Sequence, residues 1–422
     1  MSEHALPDGW SSKRLKYVAT YNDEVLPEGT DEDQEIDYVE ISGVSLARGI
    51  EEVQRVTFGQ APSRARRKVR TGDILVSTVR TYLRAIAKVD EASPDLIAST
   101  GFCVVRPGDD VDNGFIGWAA KSEPFVTQVV ARSVGVSYPA INASELVNIQ
   151  VPLPPLETQQ RIARFLDEKT ARIDGLVEKK RALLERLAEK RQALITRAVT
   201  KGLKPNAAMK PSGIDWLGDI PAHWEVLPLK RVLRSSTYGV SASLEPTGVV
   251  AVLRMGNLVD GEVDLGDLRF LDEVDENLLL EAGDVVFNRT NSLDLVGKAS
   301  IFRGGVDFPV SLASYLVRFR FSDRYLPEYA NFVMGTEVLL ALARTLALPS
   351  IGQANLNPSR YAQIEFPIPP IAEQAAIVDY LIEQASRIET VWDRIDRSRQ
   401  QLADYRAALV TAAVTGQIVE LA

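Results

Sequence analysis

Two stretches of the chain carry apolar residues at heptad spacing, and the rest shows short apolar runs broken by Gly, Pro and Asp. In the second stretch one seam reads Leu381, Ile388, Ile395, Leu402 and Leu409; its companion row reads Ile377, Val391, Tyr405 and Ala412, interrupted by Gln384 and Ser398. The first stretch keeps this register with Leu166, Ile173, Leu187 and Leu194, Lys180 at one seam position, and Ile162, Leu176 and Leu183 in the companion row. Each stretch runs about 45 residues without an internal Pro, roughly 65 Å of helix. Both open on Pro-rich junctions, LPPLETQ and IPPIAEQ, where Pro presets φ and an acidic residue suits a helix N-terminus. A sustained apolar seam predicts a coiled coil, and two equal helices in one chain make each other the natural partner.

Between these stretches, residues 74–79, 102–105, 284–287 and 315–321 predict short strands rich in Val, Ile and Phe. Residues 114–121 and 327–346 predict helices. The chain also repeats itself. Residues 151–200 align without a gap on 366–415, with 18 identities in 50 positions, among them Gln159 with Gln374 and Ala198-Val199-Thr200 with Ala413-Val414-Thr415. Looser anchors precede them: Leu6-Pro7-Asp8-Gly9-Trp10 with Ile220-Pro221-Ala222-His223-Trp224, and Gly72-Asp73 with Gly283-Asp284. A repeat of this length predicts one domain-plus-helix unit used twice. The expected boundaries are 1–153 for a first domain, 154–204 for a central helix, 205–368 for a second domain and 369–422 for a C-terminal helix. The fold class expected is α+β, with α/β-type domains.

Composition removes several classes of chemistry. One Cys rules out a disulfide framework and a thiolate metal cluster, and two His are too few for a histidine zinc site. There is no P-loop, no GxGxxG after a strand, no GxSxG, no HExxH and no Asn-Pro-Pro-aromatic tetrapeptide. Glu178-Lys179-Lys180 echoes a nuclease Glu-x-Lys but sits on a predicted solvated helix face. The expectation is a chain without catalytic, cofactor or metal residues. No apolar run reaches a membrane span and the start lacks a secretory signal plan, which predicts a cytoplasmic protein.

The duplicated Pro-rich junctions, the Ala-Val-Thr helix ends and the linker KPSGIDWLGDIPAHW at 210–224 together resemble the specificity (S) subunit of type I restriction–modification systems, over the whole chain. One departure is Thr158-Gln159 where the second copy keeps Glu373-Gln374, so the local capping should differ. The resemblance implies two target-recognition domains, each reading half of a bipartite double-stranded DNA site, held apart by two antiparallel helices in a pseudo-twofold arrangement. It implies two methyltransferase (M) subunits that bring S-adenosylmethionine, and restriction (R) subunits that bring ATP and Mg; this chain holds none of these and has no activity alone.

The net charge of −9 argues against DNA until it is divided by region. Residues 61–84 hold Arg64, Arg66, Arg67, Lys68, Arg70, Arg80 and Arg84 against Asp73 alone, the excess expected of an edge that neutralises phosphate and reads bases. In the second half, Asn288, Arg289 and Asn291 follow the matching strand, with Lys298 nearby. Arg offers a fork to guanine and Asn to adenine. A second loop before each helical stretch, 133–139 with Ser137 and Tyr138 and 347–355 with Gln353 and Asn355, has the small residues and hydroxyls or amides suited to close approach. Tyr82 and Tyr138 are candidate base contacts. The competing reading is a coiled-coil scaffold whose domains bind protein, favoured by the acidic total.

Overall fold

The computed structural model describes residues 6–350 and 352–421, and the chain falls into two compact units. One unit joins the chain up to Arg181 with the segment from Asp396 onward; the other is Ala182–Ile395. The unit border thus cuts both long helices, Leu156–Lys201 and Ile371–Val414. Each unit holds the start of one long helix and the end of the other.

In the first unit, the strands Ala19–Tyr21, Phe102–Pro107, Ile74–Ser77 and Ile86–Lys88 form an antiparallel sheet in that order. Its central strands Ile74–Ser77 and Phe102–Pro107 are mostly apolar because both faces are covered. Ile74, Val76, Cys103 and Val105 point to one side, where they share a core with Phe115, Phe125, Ile162 and Leu166 and with Val410 and Val414. Leu75, Ala87, Phe102 and Val104 point to the other, against Val39, Leu96 and Ala98 of a second sheet ordered Gln54–Thr57, Glu35–Val39, Leu96–Ser99, Ala65–Lys68. The period-two alternation of a strand assigns consecutive residues to different cores. The helices Asn113–Lys121 and Glu123–Ala131 cover the first core. Arg406 donates from Nε and Nη2 to Asp174 at 2.9 and 3.2 Å, and Arg161 donates to the Leu421 carbonyl at 2.8 Å. As residue numbers fall on one helix they rise on the other, so the two segments in this unit are antiparallel.

The second unit has a six-stranded sheet ordered Leu233–Tyr238, Leu316–Phe321, Val285–Asn288, Ala299–Ile301, Glu262–Val263, Leu258–Val259. A three-stranded sheet, Arg269–Leu271, Val250–Leu253 and Val310–Leu312, backs it. Val285, Phe287, Val317 and Phe319 face a core with Trp224, Tyr325, Tyr329, Tyr361, Val199 and Leu381; Val286 and Leu316 face the smaller sheet. Tyr329 is buried and donates to the Val199 carbonyl at 2.8 Å, tying a domain helix to the end of the first long helix.

The predicted strands are found with bounds shifted by one or two residues. The helix expected over 327–346 is two, Pro327–Met334 and Glu337–Leu346, because the chain turns at Gly335-Thr336. The long-helix companion rows also differ from expectation. Leu176, Leu183, Val391 and Tyr405 are exposed, whereas Leu184 and Val410 are buried. The buried flank lies on the other side of the seam, and heptad spacing alone does not distinguish the two flanks.

Candidate nucleic-acid interface

Each unit fastens one buried, mostly apolar strand, Ile74–Ser77 in the first and Val285–Asn288 in the second, by a buried carboxylate. Gly72 turns the chain at φ +89, and a Cβ there would meet Asn113 Nδ2 at 2.6 Å, so glycine is required. Asp73 follows, 1 % exposed; it accepts from the Arg70 amide and from Arg106 Nε and Nη2, each at 2.8 Å. In the second unit Gly283 has φ +91. Asp284 accepts from the Glu281 amide at 2.8 Å and from Arg320 Nε and Nη2 at 2.7 and 2.8 Å. These hydrogen bonds raise the Arg106 and Arg320 guanidinium pKa values against the opposing effect of burial. A pair fixed by two parallel bonds sets strand position with little play.

The far ends of these strands meet the second loop. In the first unit Val79 bridges Ala140, which bridges Val134. In the second unit Thr290–Asn291 pairs with Gln353–Asn355, which pairs with Leu348–Ser350. The registers correspond: Val79, Ala140 and Val134 occupy the places of Thr290, Asn355 and Leu348. One backbone frame therefore carries different side chains, as two readers of unlike sequences require. Thr290 Oγ1 donates to Asn355 Oδ1 at 2.7 Å. The Thr81 and Ser133 hydroxyls bond at 2.7 Å and join the two loops of the first unit.

Around this frame lie two arginines that pair with no carboxylate among the described residues. Arg80 is in the left-handed region at φ 50, an uncommon conformation for a side chain of this size. Its guanidinium lies 4.9 Å from the ring centroid of exposed Tyr138. Arg289 lies 5.3 Å from the ring of Tyr238, its Nη1 donating to the Ser314 carbonyl at 3.4 Å. A guanidinium stacked on an aromatic face keeps its edge donors free for phosphate or a base. Ser137, Lys298 and Gln353 are exposed, and Asn291 is half-exposed beside them in sequence or pairing.

The basic run 61–84 does not form one surface. Arg64, Arg66, Arg67 and Lys68 belong to or adjoin the edge strand Ala65–Lys68 of the second sheet. Arg64 lies 3.5 Å from Glu40, and Arg66 stacks on Phe58 at 4.5 Å; Arg67 buries an unpartnered Nε. Arg70 pairs with Glu24 at the carboxylate end of the strand, away from the loop, and Arg84 pairs with Glu123. Strand direction separates Arg70 from Arg80 although they lie ten positions apart in sequence. Asn288 needs a correction: it is 2 % exposed on a strand buried on both faces, so its amide is not presented as a reader. Ile351, inside the second candidate loop, lies outside the described residues. Sequence reasoning missed Tyr238, whose only signal was an aromatic on the neighbouring strand, and the exposed valines of 134–136.

The two glutamines shared by the repeats have matching duties. Gln159 Oε1 accepts from the Asp112 amide at 2.9 Å and its Nε2 donates to the Pro154 carbonyl at 2.8 Å. Gln374 Oε1 accepts from the Leu326 amide at 2.8 Å; its Nε2 donates to the carbonyls of Pro369 at 2.8 Å and Arg324 at 3.0 Å. Asp112 and Leu326 each precede a domain helix, so each glutamine holds a domain helix on the start of a long one. Where the copies differ, Glu373 accepts from Trp224 Nε1 at 2.7 Å and contacts His223 Nε2 at 2.9 Å. The first copy has Thr158 in that place, a side chain without a carboxylate.

Comparison with known proteins places these features among relatives. A family model described as the type I restriction modification DNA specificity domain matches residues 7–186. The chain is 23 % identical, over 99 % of its length and 91 % of the relative's, to the type I restriction enzyme EcoKI specificity subunit of Escherichia coli K12. It is 21 % identical over the same shares to the StySPI specificity subunit of Salmonella potsdam. The MjaVIII specificity subunit of Methanocaldococcus jannaschii is 25 % identical over 76 % of this chain and 74 % of that one. In fold, the chain is similar to one solved in work on assembly and conformational transition of the type I R-M system, with TM-score 0.74, 21 % identity and coverage of 97 % and 99 %. The HsdS subunit of Thermoanaerobacter tengcongensis gives TM-score 0.50 at 21 % identity, covering 99 % of both chains.

Proposed function

We propose that this chain is a member of the family of type I restriction–modification specificity subunits, the family of its matched domain and relatives, and that each of its two units reads one half of a bipartite, asymmetric DNA site. The observation that carries the reading is the repeated frame: an Asp-fastened strand ending in a three-strand loop cluster, with Arg80 and Tyr138 in one copy and Arg289, Asn291 and Asn355 in the other. The duplicated sequence supports a pseudo-twofold arrangement, in which equivalent surfaces dock two identical M subunits. The long helices act as spacer and ruler between half-sites. Exposed Leu176, Leu183, Val391 and Tyr405 are apolar positions suited to partner helices.

The chain acts as a non-catalytic subunit. Methyl transfer with S-adenosylmethionine belongs to M, and ATP- and Mg-dependent work to R. Among the described residues no helix is long and apolar enough to cross a membrane. A footprint of the chain with its M partner is expected to show one split site with two protected halves; protection of one contiguous site would contradict the bipartite reading. Salt dependence separates this from a protein-binding scaffold, since affinity through many phosphates falls steeply as salt rises.

A further inference from the structure

The loop that closes the first unit's cluster ends in an apolar tip with no packing role. Val136 is 102 % exposed and Val134 81 %, with Tyr138 beside them at 66 %. Gly135 shapes the turn at φ +117, and a Cβ there would lie 3.0 Å from the Tyr138 carbonyl oxygen. Val134 and Ala140 exchange backbone hydrogen bonds at 2.8 and 3.0 Å, so the tip is a held turn. The adjoining 81–83 segment is bracketed by two left-handed residues, Arg80 and Arg84, and it exposes Tyr82 and Leu83. Non-glycine residues held in that region cost backbone energy, and such strain concentrates where a side chain must be aimed. In the second unit Leu348, at the register place of Val134, is likewise exposed.

The geometry points to a specific occupant: the C5-methyl group of thymine in the major groove. This assignment rests on the DNA-reading function proposed above and names the chemistry of one of its contacts. Charge selects the partner. Arg80 lies on Tyr138 and among the described residues has no carboxylate partner, so the apolar tip is flanked by a cation, which suits a phosphate-lined groove. Within such a groove the apolar feature of the base edges is the thymine methyl. A loop bearing valines and closed by the single Val134–Ala140 bridge is narrow enough for the major groove, which admits even a two-stranded ribbon. Val134 and Val136 supply methyl-sized contacts to the thymine and leave hydrogen bonding to Arg80 and Ser137.

The test uses the full chain with its M partner and the duplex it selects from a random library. Arg80→Ala identifies the half-site read by the first unit as the half whose selection relaxes. Each thymine in that half is then replaced by deoxyuridine, which removes only the methyl. Burial of one methyl-sized group corresponds to about a fourfold change in affinity. The wild type should bind at least one deoxyuridine duplex about fourfold more weakly than its thymine parent, and Val136→Ala should bring that ratio close to one. Val136 is fully exposed, so the variant keeps its fold. Equal binding at every position, a half-site without thymine, or an unchanged ratio in Val136→Ala overturns the assignment while DNA reading stands. Failure to select any duplex overturns both. If Val136→Asp loses the M partner and keeps the deoxyuridine ratio, the tip belongs to a protein contact and the assignment falls.

Discussion

Replacing Gln374 with Leu removes the link between the second domain helix and the second long helix while keeping an apolar side chain of similar bulk. Three groups lose partners: the Leu326 amide and the carbonyls of Pro369 and Arg324. Gln374 is buried, so water does not readily replace the side chain. At about 1–3 kcal/mol for each buried polar group left unsatisfied, the expected loss is roughly 3–6 kcal/mol after partial relaxation. Gln159→Leu strands two groups, the Asp112 amide and the Pro154 carbonyl, and should cost about 2–4 kcal/mol on the same scale. The ordering, Gln374 above Gln159, is the informative part. Urea denaturation monitored by tryptophan fluorescence gives the midpoints, and hydrogen exchange at the Leu326 and Asp112 amides reports local opening in each unit. Midpoints unchanged by either substitution, or a greater loss from Gln159→Leu, would refute the reasoning.

Other perturbations test the remaining elements. Asp284→Ala should destabilise the second unit by about 2–4 kcal/mol by removing the buried partner of Arg320, which keeps only the exposed Glu281, and adding Arg320→Leu should restore part of the loss; additive losses in denaturation would contradict this. Burial, with repulsion from Arg406, lowers the Lys121 pKa from 10.5 to about 8, beside Lys88, Asp90 and Asp174. Between these values the unfolded chain holds a proton the native chain has released, so stability should rise with pH across that window. Lys121→Met should abolish the rise, and an identical pH profile in both proteins would be evidence against it. Burial pushes the Cys103 thiol up to about 12. The native protein should therefore resist thiol labelling at pH 8 and become reactive in denaturant; rapid labelling without denaturant would show that the first unit's sheet is open.

The long helices were legible because a Pro-free apolar seam of that length has few other structural solutions. Which flank joins the seam was not: Leu183 and Leu184 are neighbours of equal hydrophobicity, and only the packing buries the second. The glutamines stood out as identities, yet nothing local reveals that their partners lie some 50 positions upstream at Asp112 and Leu326. The basic run misled in a definite way. It crosses two strands and the turns that follow them, so side chains close in sequence reach opposite ends of the unit, several beside Glu24, Glu40 or Glu123. Arg80 became the clearest candidate through its stacking on Tyr138 and its lack of an acid among the described residues, both products of tertiary structure. Asn288 illustrates the converse, since a good adenine reader by chemistry is silent once both faces of its strand are covered.

The central claim is that two units read two half-sites at a distance fixed by the long helices. Methylome sequencing of cells carrying the chain and its M partner, with and without four residues inserted in each long helix, tests it directly. Four residues add about 6 Å, roughly two base pairs at 3.4 Å per step. The account predicts the same two half-sites separated by a changed spacer. The same half-sites at an unchanged spacer would contradict it.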